Sequence, residues 1–216
     1  MIQRRAVWMA LCGAVGAWAL AGCGNSKGPA VEAVPAGASV LALGDSLTSG
    51  VGARAGEDWP SLLAQRTGWD VVNGGVSGDT STQALQRLPD LLQRHQPQLV
   101  IVGLGGNDFL RRAAPASTTE ALTQIVQAAR AAKAQVVLVA IPQPTLLAAA
   151  GGAPGDHPLF AELGQTLQVP VLGQLWGPVL GNPQLRADQV HANAQGYAVF
   201  AQRLEEALRS GGWLAH

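Results

Sequence analysis

The chain has 216 residues, and its 14 basic and 14 acidic side chains give a formal net charge of zero at neutral pH. No block of lysine and arginine stands out, which argues against nucleic acid as a partner. The sequence contains two cysteines, Cys12 and Cys23. Because Cys12 lies in a segment that we expect to be cleaved off, the mature chain has no pair for an internal disulfide, and its stability must come from an apolar core.

The first 22 residues have the layout of a secretory signal. Arg4 and Arg5 form a short positive region, and residues 6–20 are almost wholly apolar. This apolar run is shorter than the roughly 20 residues that a bilayer-spanning helix needs. The segment runs into Leu-Ala-Gly-Cys, which resembles the lipobox of bacterial lipoproteins, and that resemblance implies cleavage before Cys23 and lipidation of its sulfur. An ordinary secretion signal with a chance cysteine is the alternative.

A lipidated Cys23 would place the protein in the bacterial cell envelope, on the periplasmic or outer-membrane side, with the membrane as a partner. Two or three acyl chains anchor a protein stably, which one chain does not. Residues 23–38 are rich in Gly, Pro and Ala and have no hydrophobic periodicity, so they predict a flexible tether. The tether leads to one domain, predicted to span residues 39–216.

Five short apolar runs alternate with amphipathic stretches from residue 39 onward. This alternation predicts an α/β fold with a parallel sheet covered on both faces, of the three-layer, flavodoxin-like type with five strands. A functional site is then expected at the carboxyl ends of the strands. The apolar runs are 40–43, 71–72, 99–102, 136–141 and 169–172, and the amphipathic stretches are 59–66, 80–94, 118–133 and 195–209.

A serine follows the first apolar run, in the sequence Gly-Asp-Ser-Leu at residues 44–47. In this position the hydroxyl of Ser46 lies at the carboxyl edge of the sheet, and its backbone N–H opens a helix and can help to bind an oxyanion. A helix cap with no chemical role is the other interpretation of this short sequence.

The sequence Asp-Gln-Val-His at residues 188–191 precedes the last amphipathic stretch. Asp188 lies three residues before His191 and can hold one nitrogen of its imidazole ring, so that the other nitrogen can take a proton from a serine. Two further loops, at residues 77–81 and 105–108, follow the second and third apolar runs. They offer a glycine N–H and an asparagine amide, which are donors that an oxyanion hole needs.

Together these segments resemble the motif blocks of the SGNH (GDSL) hydrolase family, close to its thioesterase I, arylesterase and lysophospholipase branch. The resemblance covers the whole predicted domain. It implies that Ser46 is the nucleophile and the first oxyanion donor, with Gly78 and Asn107 as the other two donors. It also implies that His191 is the general base and that Asp188 orients it.

The implied function is hydrolysis of carboxylic esters or thioesters of short to medium acyl chains, without a cofactor or a metal ion. A carbohydrate or peptidoglycan O-deacetylase on the same scaffold is one alternative, and a catalytically inert, lipid-anchored binding protein is another. The chain departs from the family pattern at Val51, where an aromatic residue is common, and at Ala192, where proline is common. We expect Val51 and Phe109 to shape the acyl pocket.

Overall fold

The structure is a computed structural model that describes residues 31–143 and 154–214. Cys23, the signal segment and the first part of the predicted tether lie outside the described residues. The strands are β1 (Ser39–Gly44), β2 (Asp70–Gly75), β3 (Leu99–Gly103), β4 (Gln135–Val139) and β5 (Val171–Leu172). The helices are α1 (Ser46–Ser49), α2 (Trp59–Thr67), α3 (Ser81–His95), α4 (Gly106–Leu110), α5 (Pro115–Ala131), α6 (Leu159–Leu167), α7 (Gly177–Leu180) and α8 (Ala194–Ser210), with a 3₁₀ turn at Pro183–Leu185. Within the described ranges, no helix is long and apolar enough to cross a membrane.

The five strands form one parallel sheet in the order β2-β1-β3-β4-β5, which confirms the predicted α/β fold. Val40 of β1 pairs with Val71 of β2 on one side and with Leu99 of β3 on the other. All residues of β3, and those of β1 after Ser39, are buried, because strands covered on both faces need apolar side chains on both. β5 is an edge strand, and Pro170 directly before it suits an edge because it lacks an N–H.

The four amphipathic stretches are the helices α2, α3, α5 and α8, with boundaries within three residues of those predicted. α2 packs on α8, and α3 packs on α5. With the right-handed crossovers expected of parallel strands, the two pairs of helices cover opposite faces of the sheet. The N-termini of α3 and α8 carry side-chain caps, from Thr80 and Asn193 respectively. The sequence analysis does not predict α4, α6 and α7. α4 and α7 have only five and four residues, too few to display a periodicity, whereas the nine residues of α6 do carry apolar side chains at helical spacing.

Four aromatic residues fix α8 against α2 and the loop before α7. The ring of Phe200 stacks on that of Trp176, with ring centroids 3.7 Å apart, and its centroid lies 5.6 Å from that of Trp59. Tyr197 meets Trp176 edge to face at 6.1 Å. All four side chains are at most 1% exposed, so they hold the start of α8 by burial as well as by ring geometry.

Residues 31–38 differ from the predicted flexible tether, because they are packed against the domain. Val34 is only 3% exposed, and its N–H donates to the carbonyl of Trp213 at 2.8 Å. The Val34 carbonyl accepts the indole N–H of Trp69 at 3.0 Å. The composition of this segment gives no sign of the packing, which rests on one valine and its backbone. The packed domain therefore begins before Ser39.

We predict that Val34→Asp lowers the free energy of unfolding by about 3 kcal/mol, because it removes a buried apolar side chain and places a carboxylate among apolar ones. Urea denaturation of the protein measures the change. Ala33→Asp is the matched control, since it introduces the same charge at the neighbouring exposed position and is expected to be neutral. Equal stability of the two variants would mean that residues 31–38 are a free tether.

Candidate active site

Ser46 lies directly after β1 and is the first residue of α1. Asp45 caps this helix, because its side chain accepts the N–H of Leu47 at 3.0 Å. A side chain on Gly44 would collide with that of Thr48, so glycine alone lets the chain pass from strand to helix at this point. The local sequence thus holds the Ser46 hydroxyl at the carboxyl edge of the sheet, as predicted.

Two hydrogen-bonding contacts join the side chains of Ser46, His191 and Asp188 in a row. His191 Nε2 lies 3.0 Å from Ser46 Oγ, and His191 Nδ1 lies 2.7 Å from Asp188 Oδ2. The structure therefore brings together the three residues that the two sequence motifs singled out. In this arrangement the carboxylate can fix one tautomer of the ring, while the other ring nitrogen faces the hydroxyl.

Asp188 is held by the loop that carries it. Its Oδ1 accepts the backbone N–H groups of Val190 and His191, both at 2.8 Å. Partial burial raises the pKa of Asp188, but hydrogen bonds from the His191 ring and from these two N–H groups outweigh burial and hold the pKa below its usual value. The Asp188 side chain is 54% exposed and that of His191 is 19% exposed, so the carboxylate stays ionised at neutral pH while the imidazole is largely shielded.

Three hydrogen bonds hold the segment around His191 in place. The carbonyl of His191 accepts the N–H of Ala187 at 3.0 Å, within the same loop. The Asn193 side chain donates to the carbonyl of Gln184 at 2.8 Å. The hydroxyl of Tyr197 donates to the carbonyl of Val51 at 2.8 Å, and burial raises the pKa of this phenol, so it remains a donor.

Three N–H donors belong to residues that line the same cleft as the Ser46 hydroxyl. In the part of the chain that the structure describes, the backbone N–H groups of Ser46 and Gly78 have no protein acceptor. Gly78 has a φ of +85°, a conformation that glycine adopts without strain. The side-chain amide of Asn107 donates to the carbonyl of Asp79 at 3.0 Å and approaches Asp45 Oδ2 at 3.3 Å. The three predicted donor residues are thus close together at the edge of the sheet.

Two deeply buried carboxylates lie beneath these loops. Burial raises the pKa of Asp45 to about 6, and the N–H of Leu47 and the nearby His191 partly offset that effect. Asp108 accepts the N–H of Ser81 at 2.9 Å and its hydroxyl at 3.2 Å. Each of these two side chains is 2% exposed and accepts a backbone N–H. Each therefore holds a loop in place and does not face solvent.

A cleft of about 580 Å³ lies over the Ser46 hydroxyl. Polar groups at its floor include Ser46, Gly78, Asn107 and His191. Its walls are largely apolar, with Leu47, Leu110, Ile141, Pro142, Leu180 and Val190 among the lining residues. Among the described residues, no group of three or more His, Cys, Asp or Glu side chains is placed to hold a metal ion.

The expectation that Val51 and Phe109 shape the pocket is wrong, because neither residue lines the cleft. The ring of Phe109 instead stacks on that of His157, with centroids 4.0 Å apart and planes within 8° of parallel. Its neighbour Leu110, 54% exposed, lines the cleft. Partial burial beside this ring lowers the pKa of His157. The sequence shows no signal for this contact, since His157 lies in an aperiodic segment.

Comparison with curated proteins finds relatives named as ester hydrolases. The chain is 36% identical over 176 residues to "Thioesterase 1/protease 1/lysophospholipase L1" of Escherichia coli (strain K12), a match that covers 79% of this chain and 83% of that protein. It is 43% identical over 111 residues to "Esterase TesA" of Pseudomonas aeruginosa, covering 49% of this chain and 55% of that protein.

Solved structures include similar folds. The crystal structure of esterase EstA from Pseudoalteromonas sp., inhibited by monoethylphosphonate, has a TM-score of 0.70 and 25% identity, and the match covers 80% of this chain and 97% of that one. A crystal structure of TesA has a TM-score of 0.71 and 29% identity, covering 80% and 99%. The model of the GDSL-like lipase/acylhydrolase family matches residues 42–199. The chain therefore belongs to the GDSL-like lipase/acylhydrolase family.

Proposed function

We propose that this protein hydrolyses carboxylic esters and thioesters of short to medium acyl chains, with Ser46 as nucleophile, His191 as general base and Asp188 as the residue that orients it. The family makes the chain a carboxylic ester hydrolase, and the relatives named thioesterase and esterase motivate the substrate class. The observation that carries the assignment of residues is the 3.0 Å distance between Ser46 Oγ and His191 Nε2, which is a distance for proton transfer.

The reaction has two halves that use the same groups. Ser46 Oγ attacks the acyl carbonyl carbon while His191 Nε2 takes its proton, and the carbonyl oxygen becomes an oxyanion. The bond to the leaving alcohol or thiol then breaks, and the imidazolium returns the proton to it. A water molecule attacks the resulting acyl-serine in the same way, which releases the acid and restores the hydroxyl. Asp188 stabilises the imidazolium that forms in each half.

The oxyanion would be bound by the N–H groups of Ser46 and Gly78 and by the Asn107 amide. The two backbone groups support this role because they have no acceptor in the described chain. The Asn107 amide has two hydrogens, and its bond to the Asp79 carbonyl at 3.0 Å holds it in place. Its contact with Asp45 Oδ2 at 3.3 Å is long for a hydrogen bond, so the second hydrogen is available to an oxyanion at small cost.

The walls of the cleft favour an acyl chain over an acetylated sugar. Its volume of about 580 Å³ is in the usual range for small-molecule sites, roughly 300–1,000 Å³. Apolar side chains such as Leu110, Ile141 and Leu180 line it, and each is suited to pack on methylene groups rather than on hydroxyls. This observation favours the esterase over the O-deacetylase.

We also propose that Cys23 is lipidated and anchors the domain to a membrane of the cell envelope. Its support is the Leu-Ala-Gly-Cys sequence. Glu32 donates its N–H to the side chain of Gln135 at the start of β4, so the chain enters the domain at the amino edge of the sheet, opposite the cleft. Seven residues separate Cys23 from Val31, and the eight Cα–Cα steps between them span at most about 29 Å when fully extended. The anchor would therefore attach on the side of the domain opposite the cleft.

Ser46→Ala is expected to keep the fold and to abolish turnover, because the variant lacks the Oγ that lies 3.0 Å from His191 Nε2. Hydrolysis of p-nitrophenyl esters from acetate to palmitate measures activity, and the chain-length profile sizes the acyl pocket. Ser117→Ala, on the exposed surface of α5, is the control and should match the wild type. Substantial esterase activity in Ser46→Ala would contradict the proposed nucleophile.

Asn107→Ala is expected to lower kcat about 10²- to 10³-fold, because one donor to the developing oxyanion is lost. KM should change little, since the contact strengthens only as charge develops on the oxygen. Steady-state kinetics and a thermal melt on the same sample provide the test. A collapse of the melting temperature would instead assign Asn107 a structural role.

Cys23→Ala is expected to release the protein from membranes, because the variant has no sulfur to carry diacylglycerol. Fractionation of cells that produce each form measures the partition between membrane and soluble fractions. The same distribution for variant and wild type would rule out the anchor, and the esterase assignment would be unaffected.

A further inference from the structure

Arg87 of α3 donates hydrogen bonds to two separate segments of the site, the end of β1 and the loop before α3. Its Nε lies 2.7 Å from Asp79 Oδ2, and its Nη2 donates to the carbonyl of Gly44 at 2.9 Å. Gly44 is the last residue of β1 and lies two positions before Ser46. The Arg87 side chain is 25% exposed and that of Asp79 is 12% exposed, so this contact is shielded more than an ordinary surface ion pair.

Both acceptors of Arg87 are also bonded to the loops that carry the oxyanion donors. The Gly44 carbonyl accepts the N–H of Val76 at 3.1 Å, which joins the ends of β1 and β2. Asp79 directly follows Gly78 in the chain, and its carbonyl accepts the Asn107 amide at 3.0 Å. Arg87 therefore bonds to Asp79, which adjoins Gly78 and accepts the Asn107 amide, and to Gly44, which lies two residues before Ser46.

We propose that Arg87 is a positioning residue for the oxyanion hole, through which the donors of Ser46, Gly78 and Asn107 are held in mutual register. The inference rests on the proposed function, because it assumes that these three groups bind the oxyanion. The donors lie on three separate segments beyond the strand ends, with Ser46 in α1, Asn107 in α4 and Gly78 in the loop before α3. An oxyanion hole is effective only when its donors are fixed before charge develops.

The geometry requires an arginine rather than any cation. The planar guanidinium presents N–H groups in a rigid fork, so Nε can reach the Asp79 carboxylate while Nη2 reaches the Gly44 carbonyl. A lysine ammonium is a single point of charge and cannot hold both acceptors in the same places. Arg87 does not line the cleft, so its effect on catalysis would pass through Asp79 and Gly44.

The test compares Arg87→Met and Arg87→Lys with wild type on p-nitrophenyl butyrate. Misplaced donors should lower kcat by about tenfold to a hundredfold in Arg87→Met, with KM within about twofold because ground-state binding is unaffected. Arg87→Lys should lose most of the same kcat, since the fork is missing. If Arg87→Met does not fold, the lysine variant provides the result.

Arg66→Met is the matched control for the loss of an ion pair. Arg66 Nε lies 2.7 Å from Glu205 Oε2, the same distance as in the Arg87 pair, but at the far end of α2 from the cleft. Arg66→Met should lower the melting temperature slightly, as the loss of an ion pair does in Arg87→Met, and should leave kcat unchanged. The proposal is overturned if Arg87→Met keeps kcat within twofold of wild type, or if the loss appears in KM instead.

A double variant separates positioning from general loss of stability. If Arg87 acts partly by placing the Asn107 amide, the combined loss in Arg87→Met/Asn107→Ala should be smaller than the product of the two single losses, by about threefold or more. Multiplicative losses would mean that the two residues act independently and would contradict the proposal. The Ser46→Ala result tests the proposed function separately, so failure of one is distinguishable from failure of the other.

Discussion

The placement of His191 against Ser46 is the constraint on which the rest of the site depends, because the two residues are 145 positions apart in the chain. A distance of 3.0 Å demands that the loop before α8 be fixed relative to the end of β1 within about 0.5 Å. The buried rings of Trp59 and Phe200 hold α8 on α2, and the hydroxyl of Tyr197 bonds to the segment that follows α1. The hydrophobic core therefore positions the proposed proton transfer.

The carboxylates near the proposed oxyanion site have their negative charge weakened by burial or balanced by an ion pair. A carboxylate close to a developing negative charge would raise the barrier, and Asp45 and Asp79 both lie near the donors. Burial raises the pKa of Asp45 to about 6, which weakens its preference for the charged form. Asp79 is paired with Arg87 at 2.7 Å, so its charge is balanced locally. Asp188 is the most exposed of these acids and lies behind His191, where negative charge stabilises an imidazolium.

Much of the fold and the site could be predicted from the sequence because the signals are local. A parallel sheet brings the ends of successive strands to one edge, so Ser46, Gly78 and Asn107 converge once the strands are recognised. Other features could not be predicted. Val34 is a single apolar residue in a segment without periodicity, and its backbone bonds to Trp69 and Trp213, which are distant in sequence. Arg87, on a charged turn of α3, looks like a solvated residue until the ends of β1 and β2 are placed beside it.

The most direct test of Ser46 as the nucleophile is to label the purified protein with a serine-reactive phosphonate and to locate the adduct. We predict one adduct, found by mass spectrometry of the digested protein on the peptide that contains Ser46, and formed much more slowly when His191 is replaced by alanine. An adduct on a different residue, or the absence of any adduct from protein that hydrolyses esters, would contradict the assignment of Ser46 as the nucleophile.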